Sequence, residues 1–475
     1  MSTFSGLNAA YSGLVAARQG LDVVGQNIVN AGTEGYTRQR VQTSAVGALG
    51  ASTSFSLPRP GDGVAVTGIA RLGDVYLDDR VQAALGQSSY WNTMSTIRDG
   101  LEASLNEPGE NGLSSQLHSF WGAWQDLANQ SGESAPASVL LEQGRVLASQ
   151  IADGYHNAQA QWSSTRAQAE GMVGTLNATA EQIARLNGQI RSTIAAGGSA
   201  NELIDQRSVL VEQASALAGA TVVYNDDNTV NVIVGGSPLV AGTTARQLEL
   251  SGASTMEAAA ADPVALVWSH RPGQPVPLDA GQLGAALAAM APAATDGSRS
   301  GGAIAEQAEM YNRMATALAD AVNPVHEGGV TPGGSAGGPF FAVASTGPAA
   351  LGLSVVPSDV SQIATALPGE GGKGGGNADL IAQIGAQPGS PDDLWAGFVV
   401  ATGVATSAAD QQYKLSSQAT TIAQNLRSSQ SAVDTDEELT NMLALQRAYQ
   451  GAARVMTAVD EALDVLINHT GLVGR

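Results

Sequence analysis

The stretch Leu7–Ala31, LNAAYSGLVAARQGLDVVGQNIVNA, contains two rows of apolar residues that each repeat every seven positions. The first row comprises Leu7, Leu14, Leu21 and Ile28, and the second comprises Ala10, Ala17, Val24 and Ala31. Two such rows are typical of a helix that packs in a coiled coil. The pattern therefore predicts a helix from about Thr3 to Asn30.

Glycine is frequent in this predicted helix, at Gly6, Gly13, Gly20 and Gly25, all outside the two apolar rows. Each glycine is expected to weaken the helix by up to ~1 kcal/mol relative to alanine. A helix of this composition is marginal in water when it is alone. We therefore expect it to need a partner.

The other end of the chain carries a matching pattern. A helix is predicted from about Asp436 to Asn468, and acidic residues at its start suit the positive end of a helix dipole. Its apolar rows are Met442, Tyr449, Met456 and Leu463, and Leu445, Ala452, Val459 and Leu466. Either pattern alone is also typical of a helix that packs in the core of a protein. Two of them at opposite ends favour helices that pair with each other or with neighbouring subunits.

Between the two terminal helices the pattern changes several times. Residues 33–80 are rich in glycine and proline and predict an extended arm, with a short strand around Val64, Val66 and Ile69. Residues 88–218 are helical in pattern. Within them, 137–196 contains no proline and predicts one helix of about 90 Å, unless a glycine breaks it.

Most of the strand patterns appear in the middle of the chain. A hairpin is predicted from 221–224 and 229–234 around the turn 225–228, with further strands at 247–250 and 264–268. Helices are predicted again at 283–291, 303–322 and 392–428. The predicted fold class is mainly α with an inserted β domain, elongated and nested. The three predicted domains are 1–87 with 429–475, 88–219 with 281–428, and 220–280.

Composition excludes several kinds of function. The chain has 475 residues, no cysteine, and 22 basic against 43 acidic residues, for a net charge of -21. Without cysteine there is no disulfide, thiolate zinc site or thiol nucleophile. The negative charge argues against nucleic acid and anionic lipid as partners. Neither a cleaved signal peptide nor a transmembrane run is predicted.

Catalytic motifs are not apparent. The glycine loop around Lys373 lacks the Ser or Thr of a phosphate-binding loop. The pair Glu437 and Glu438 is explained by helix capping, and His326 is interpreted as the anchor of a glycine-rich loop. The five histidines are scattered along the chain. The sequence therefore predicts no enzyme, no cofactor and no metal site.

A family resemblance is carried by both ends. The run Gly25–Arg38, GQNIVNAGTEGYTR, resembles the N-I-x-N-A-x-T-x-G-Y block of flagellar axial proteins of the rod, hook and hook-associated group, with Glu34 in place of the common proline. The run Val433–Met456 resembles the partner block of that group. The order of the two blocks matches the family.

Within this group, four further runs are similar to the hook-associated members at the junction of hook and filament. They are Tyr36–Gln39, Gly61–Val64, Arg71–Asp74 and the stretch from Ala321 to the Phe340-Phe341 pair. The resemblance implies a structural protein that leaves the cell through the flagellar type III apparatus and assembles outside. The alternatives are the hook protein, the second hook–filament junction protein, or a cell-wall hydrolase on an axial scaffold.

The resemblance also implies partners. These are other copies of the chain in a ring or tube, the hook protein, the second hook–filament junction protein, and a cytoplasmic export chaperone on the C-terminal helix. Folding of the ends is expected to be coupled to assembly. The residues predicted to form the assembly interface are Leu7, Leu14, Leu21, Val24, Asn27, Ile28, Asn30, Gly35, Tyr36, Met442, Leu445, Tyr449, Ala452, Met456, Val459, Leu463 and Leu466.

Overall fold

The computed structural model describes residues 3–46 and 63–469. The predicted fold class is confirmed: the molecule is elongated and mainly helical, with a small β unit. The helices are α1 Thr3–Val29, α2 Val75–Ser104, α3 Leu113–Asn129, α4 Ser134–Ala195, α5 Asn201–Ala218, α6 Gly281–Met290, α7 Ala303–Glu327, α8 Ala349–Gly352, α9 Gly376–Ala382, α10 Pro391–Ser431 and α11 Thr435–Asp464. The strands are β1 Gln39–Ala45, β2 Val64–Arg71, β3 Thr221–Tyr224, β4 Val230–Val234, β5 Ser237–Ala241, β6 Thr244–Ala245, β7 Leu248–Ser251, β8 Ala265–Trp268, β9 Arg271–Pro275, β10 Phe341–Ala342 and β11 Ser354–Val355.

The two ends of the chain meet. Helix α1 packs antiparallel along α11, and the hairpin of β1 and β2 lies against α1. The hairpin runs from the pair Gln39 and Arg71 to the pair Ala45 and Val64. Part of the predicted extended arm, residues 47–62, lies outside the described residues.

Long helices form the body of the molecule. Helix α4 is continuous over 62 residues, which at 1.5 Å per residue is about 93 Å. Neither Gly154 nor Gly171 interrupts it, and Gly154 instead makes room for the ring of Tyr311. Helix α5 returns along α4, and α2 packs along α10. The largest buried side chains of this body include Trp124, Trp162 and Trp395.

The β unit consists of two small antiparallel sheets, β3-β4-β5-β6 and β7-β8-β9. Two asparagines of α4 hold them. The Asn187 amide donates to the Val230 carbonyl (2.8 Å), and the Asn177 amide donates to the Leu248 carbonyl (2.8 Å). The predicted hairpin and the strands near 247 and 264 are confirmed. The sequence pattern does not predict β5 and β9, because prolines at 238, 272 and 275 argue against strands.

One predicted boundary is wrong. The arm was expected to reach Arg80, but α2 begins at Val75. The cause is local, because the Asp74 carboxylate caps the helix by accepting from the backbone N–H groups of Tyr76 (2.8 Å) and Leu77 (3.3 Å). The proposed division into three domains stays a prediction.

His326 anchors the glycine-rich loop that follows α7. The side chain is fully buried, its Nδ1–H donates to the Gly338 carbonyl (2.6 Å), and its Nε2 accepts from the Ala364 N–H (2.9 Å). Since Nε2 must accept, this arrangement requires the neutral imidazole. Burial lowers the pKa of His326 below its usual value, which favours the same form.

We expect acid to weaken the helical body through His326. The folded-state pKa is lowered, so this contribution to stability is complete above the unfolded pKa of ~6.5 and declines as the pH falls below it. The variant His326→Phe leaves two buried backbone groups without a partner, at a cost of about 1–3 kcal/mol for each. Urea unfolding at pH 7.5 and pH 5.5 measures both effects. The control is His118→Gln, because His118 is exposed. If the stability of His326→Phe changed with pH as much as that of the unaltered protein does, the assignment would be contradicted.

Candidate functional site: the paired terminal helices

Three glycines of α1 face α11. Gly6 lies opposite Val459, Gly13 opposite Ala452 and Gly20 opposite Leu445. The three glycines of α1 and the three residues opposite them on α11 are each spaced by seven residues, as expected for an antiparallel heptad register. The closest approach is at Gly20, where an added Cβ would lie 2.8 Å from Leu445 Cδ2. The expectation that the glycines fall outside the packing seam is therefore wrong, since their missing side chains let the two helices approach.

The next position in the same register is polar. Asn27 on α1 faces Glu438 on α11, and each residue is only 1% exposed. The Asn27 amide donates to Glu438 Oε2 (3.1 Å). A buried polar pair in an apolar seam specifies the register, because any slip along the helices would leave both groups unpaired.

Asn27 also holds the chain that leaves α1. Its amide donates to the Gln39 carbonyl (2.9 Å), and its Oδ1 accepts from the Gln39 N–H (3.0 Å) and the Tyr36 hydroxyl (2.9 Å). Burial raises the pKa of Tyr36 to about 12, so the hydroxyl keeps the proton that it donates. The start of β1 is thereby fixed against the helix pair.

Arg38 links the arm to α11. Its guanidinium donates to Glu438 Oε1 (2.7 Å) and to both carboxylate oxygens of Glu437 (3.0 and 2.8 Å). The Arg38 N–H donates to the Ser431 carbonyl at the end of α10 (2.9 Å). The capping interpretation of Glu438 is wrong. Asp434 caps α11 by accepting from the N–H groups of the two following acidic residues (2.9 and 3.2 Å), while Glu438 is buried in an ion pair.

Asp205 of α5 connects this site to the helical body. Its carboxylate accepts from the Thr37 N–H (3.1 Å) and from Arg71 Nε (2.6 Å). Gly35 adopts φ +76° beside Val209 of α5, where a Cβ would lie 2.4 Å from Val209 Cγ2. Glycine is needed at this position, both for the left-handed backbone and for the close approach.

A second cluster of charged side chains connects the helices next to the arm. Arg71 lies 3.7 Å from Asp78 of α2, and Arg427 of α10 lies 3.6 Å from the same carboxylate. Arg427 also pairs with Glu212 of α5. The arm, α2, α5 and α10 thus share one charged junction next to the terminal helix pair.

The predicted interface residues fall into three groups by exposure. Those buried are Val24 and Asn27; those half-buried are Leu7, Leu14, Leu21, Ile28, Asn30, Tyr36, Met442, Leu445, Ala452, Met456, Val459 and Leu463; those exposed are Gly35, Tyr449 and Leu466. The structure brings Asn27 and Tyr36 together, and it places Leu445, Ala452 and Val459 against the glycines of α1. Their role in assembly stays a prediction.

Sequence reasoning missed the glycines, Arg38, Glu438 and Asp205 as parts of this site. The glycine spacing of seven matches that of Leu445, Ala452 and Val459 and could have revealed the register. Among residues 3–46 and 63–469, no helix is long and apolar enough to cross a bilayer, and no group of three His, Asp or Glu side chains could hold a metal ion.

Family comparisons agree with this architecture. Residues 99–341 match the family model described as Flagellar hook-associated protein FlgK helical domain, and residues 424–468 match Flagellar basal body rod FlgEFG protein C-terminal. Flagellar hook-associated protein 1 of Bacillus subtilis is 30% identical over the full length of both chains. The chain belongs to the flagellar hook-associated protein 1 family.

Other members of the hook-associated protein 1 family match more locally. The proteins of Salmonella typhimurium and Escherichia coli are each 31% identical over 71% and 76% of this chain, but over only 59% and 63% of their own lengths. The structure of the flagellar hook junction protein FlgK from Burkholderia pseudomallei has a TM-score of 0.63 at 18% identity, covering 75% of this chain and 100% of that one. This last similarity shows a shared fold.

Membership of the hook-associated protein 1 family confirms the predicted role of a structural protein of the flagellum, at the junction of hook and filament. It also places the protein in the flagellum. The relatives are structural proteins.

Proposed function

We propose that the paired helices α1 and α11 form the surface through which this chain packs against neighbouring subunits. The observation that carries the proposal is a set of large apolar side chains left at the surface of α11 and the turn after it. Its members, each at least 50% exposed, are Leu439, Leu443, Val455, Val465, Leu466 and Ile467. Leu439 and Leu443 are one helical turn apart, and Val465, Leu466 and Ile467 are consecutive, so they form two exposed apolar groups of the kind that marks interaction sites.

Helix α10 extends the same kind of surface. Its inner face packs on α2, while its outer face exposes Val400, Val404, Leu415, Ile422 and Leu426. Residues 400–426 span about 39 Å at 1.5 Å per residue. The outer faces of α10 and α11 follow each other in sequence, separated by residues 432–434. The outer face of α10 is an elongated apolar strip, which suits lateral contact between neighbouring subunits.

Such contacts join different surfaces of neighbouring copies and therefore generate rings or tubes. In the flagellum the ends of this assembly meet the hook protein on one side and the second hook–filament junction protein on the other. Before assembly, a cytoplasmic chaperone covers the exposed apolar side chains of α11 during type III export. The assembled protein is extracellular and has no catalytic activity. The family membership and the exposed strip support this proposal.

Leu443→Lys tests the α11 surface. Leu443 is 56% exposed, so the substitution leaves the fold of the free protein unchanged. A charge in the subunit contact is expected to prevent incorporation, and hooks should then remain without filaments. Electron microscopy of a deletion strain that expresses the variant measures this. Gln168→Lys, at an exposed position of α4 away from this surface, is the control and should restore filaments. Normal filaments with Leu443→Lys would contradict the proposal.

A further inference from the structure

The dipeptide Asn-Gly occurs twice in the chain, at Asn111-Gly112 and at Asn187-Gly188. In this dipeptide the backbone nitrogen of the glycine can attack Cγ of the asparagine side chain. The attack is easiest at glycine, because glycine has no side chain that shields its backbone nitrogen or restricts its backbone. The fold around each pair therefore decides whether the reaction takes place.

Asn111 lies in the loop 105–112 between α2 and α3, in a run of four exposed residues, 108–111. Its side chain makes no hydrogen bond within the part of the chain that the structure describes. Only its main-chain carbonyl is held, by the side-chain amide of Gln150 on α4 (2.7 Å). The Asn111 side chain is thus able to turn towards the Gly112 nitrogen.

One hydrogen bond opposes the reaction at Asn111. The Gly112 N–H donates to the Gly109 carbonyl (3.1 Å), and this bond must open before the nitrogen can attack. It is a single bond in an exposed turn, since residues 105–112 belong to no helix or strand. Exposed turns open at little cost in free energy, whereas the amides of long packed helices open only together with much of the fold.

Asn187 has the opposite surroundings. It is fully buried within the continuous helix α4. Its Nδ2 donates to the Val230 and Gly242 carbonyls (2.8 and 2.6 Å). Its Oδ1 accepts from the Val230 N–H (3.2 Å) and from the Arg207 guanidinium (2.9 Å). These four bonds fix the side-chain amide, so it cannot turn towards the Gly188 nitrogen while α4 is folded.

We propose that Asn111 is a site of spontaneous deamidation in the folded protein and that Asn187 is protected. A bond forms between the Gly112 nitrogen and Asn111 Cγ, and the bond between Cγ and Nδ2 breaks. Nδ2 leaves as ammonia with the proton of the Gly112 nitrogen, and a succinimide ring remains. One water molecule then opens the ring at either of its carbonyl groups, which yields aspartate or isoaspartate.

The modification changes the loop in front of α3. Both products add one negative charge two residues before Leu113, where α3 begins. Isoaspartate also inserts Cβ into the main chain, and the carbonyl group that accepts from Gln150 becomes part of a side-chain carboxylate. The contact between this loop and α4 is therefore altered in the isoaspartate form. The site lies outside α1 and α11, so the proposal is independent of the assembly proposal.

Mass spectrometry of the full-length protein after incubation at pH 8 tests the proposal, because the amide and the acid differ in mass. In urea both pairs are unprotected and should convert at similar rates. In the folded protein Asn111 should convert within ~10-fold of its rate in urea, and Asn187 should be slowed at least ~100-fold. Labelling by an isoaspartyl methyltransferase detects the isoaspartate product. Equal rates at the two asparagines of the folded protein would overturn the proposal.

Asn106 separates the effect of the following residue from the effect of exposure. It is exposed in the same loop, but it is followed by Glu107. It should convert at least ~10-fold more slowly than Asn111, because the Glu107 side chain shields the backbone nitrogen. Asn111→Gln should abolish the conversion in its peptide, and circular dichroism checks that this variant is folded. Conversion of Asn106 as fast as that of Asn111, or conversion retained in Asn111→Gln, would contradict the proposal.

Discussion

Gly20→Leu is expected to separate α1 from α11 and to abolish assembly. The new side chain enters space already held by Leu445, whose Cδ atoms lie 2.8 and 3.0 Å from the Cβ position. Overpacking costs about 1–3 kcal/mol. We expect backbone amides of both helices to exchange hydrogen at least ~10-fold faster in the free protein, which corresponds to about 1.4 kcal/mol.

Gly25→Leu is the matched control for that experiment. Gly25 lies on the same helix, and a Cβ there would meet nothing within 4 Å. Both substitutions gain the same helix propensity, up to ~1 kcal/mol relative to glycine. Gly25→Leu should therefore leave exchange unchanged or slow it. If the two variants behaved alike, the glycines would not set the distance between the helices.

Arg38→Met is expected to destabilise the same site by about 3–5 kcal/mol, because it leaves the buried Glu438 carboxylate without its cation. The Asn27 amide alone cannot replace the guanidinium, which lies 2.7 Å from Glu438 Oε1. The predicted consequence is local opening of α11 and the start of β1. Hydrogen exchange of these elements is the measurement, together with filament formation in a deletion strain.

A double replacement separates the charge from the packing. Arg38→Met with Glu438→Leu removes both buried charges and should recover most of the stability lost in Arg38→Met, since paired buried charges can be replaced by apolar residues at little cost. Arg40→Met, at an exposed neighbouring position, should have no effect. A double variant as unstable as Arg38→Met alone would show that the ion pair is not the cause.

The heptad rows and the β hairpin are predictable because they depend on local period and turn chemistry. The continuous α4 follows from the absence of proline between 137 and 195. The role of the glycines is hidden for a physical reason. Within the sequence of α1 alone, these glycines are only weak helix formers. Their role in packing is visible only when α11 is placed beside α1, with Val459, Ala452 and Leu445 opposite them.

The polar part of the site is still harder to predict. Arg38 and Glu438 are 400 residues apart, and one sequence gives no indication that two such charges meet. Asp205 lies within a helix pattern in which an acidic residue is ordinary. Asn27 and Tyr36 are noticed only through the family resemblance. Their mutual hydrogen bond, 2.9 Å long, follows from the turn after α1, which the residue pattern does not specify.

The pairing of α1 with α11 also bears on how this family can change in length. Helices α1 and α11 lie together, so the residues between the arm and α10 form one insertion that leaves the helix pair and returns to it. Lengthening such an insertion costs little, about 0.6 kcal/mol of loop-closure entropy for each doubling of its length. Evolution can therefore add or remove outer modules while the pair keeps its register.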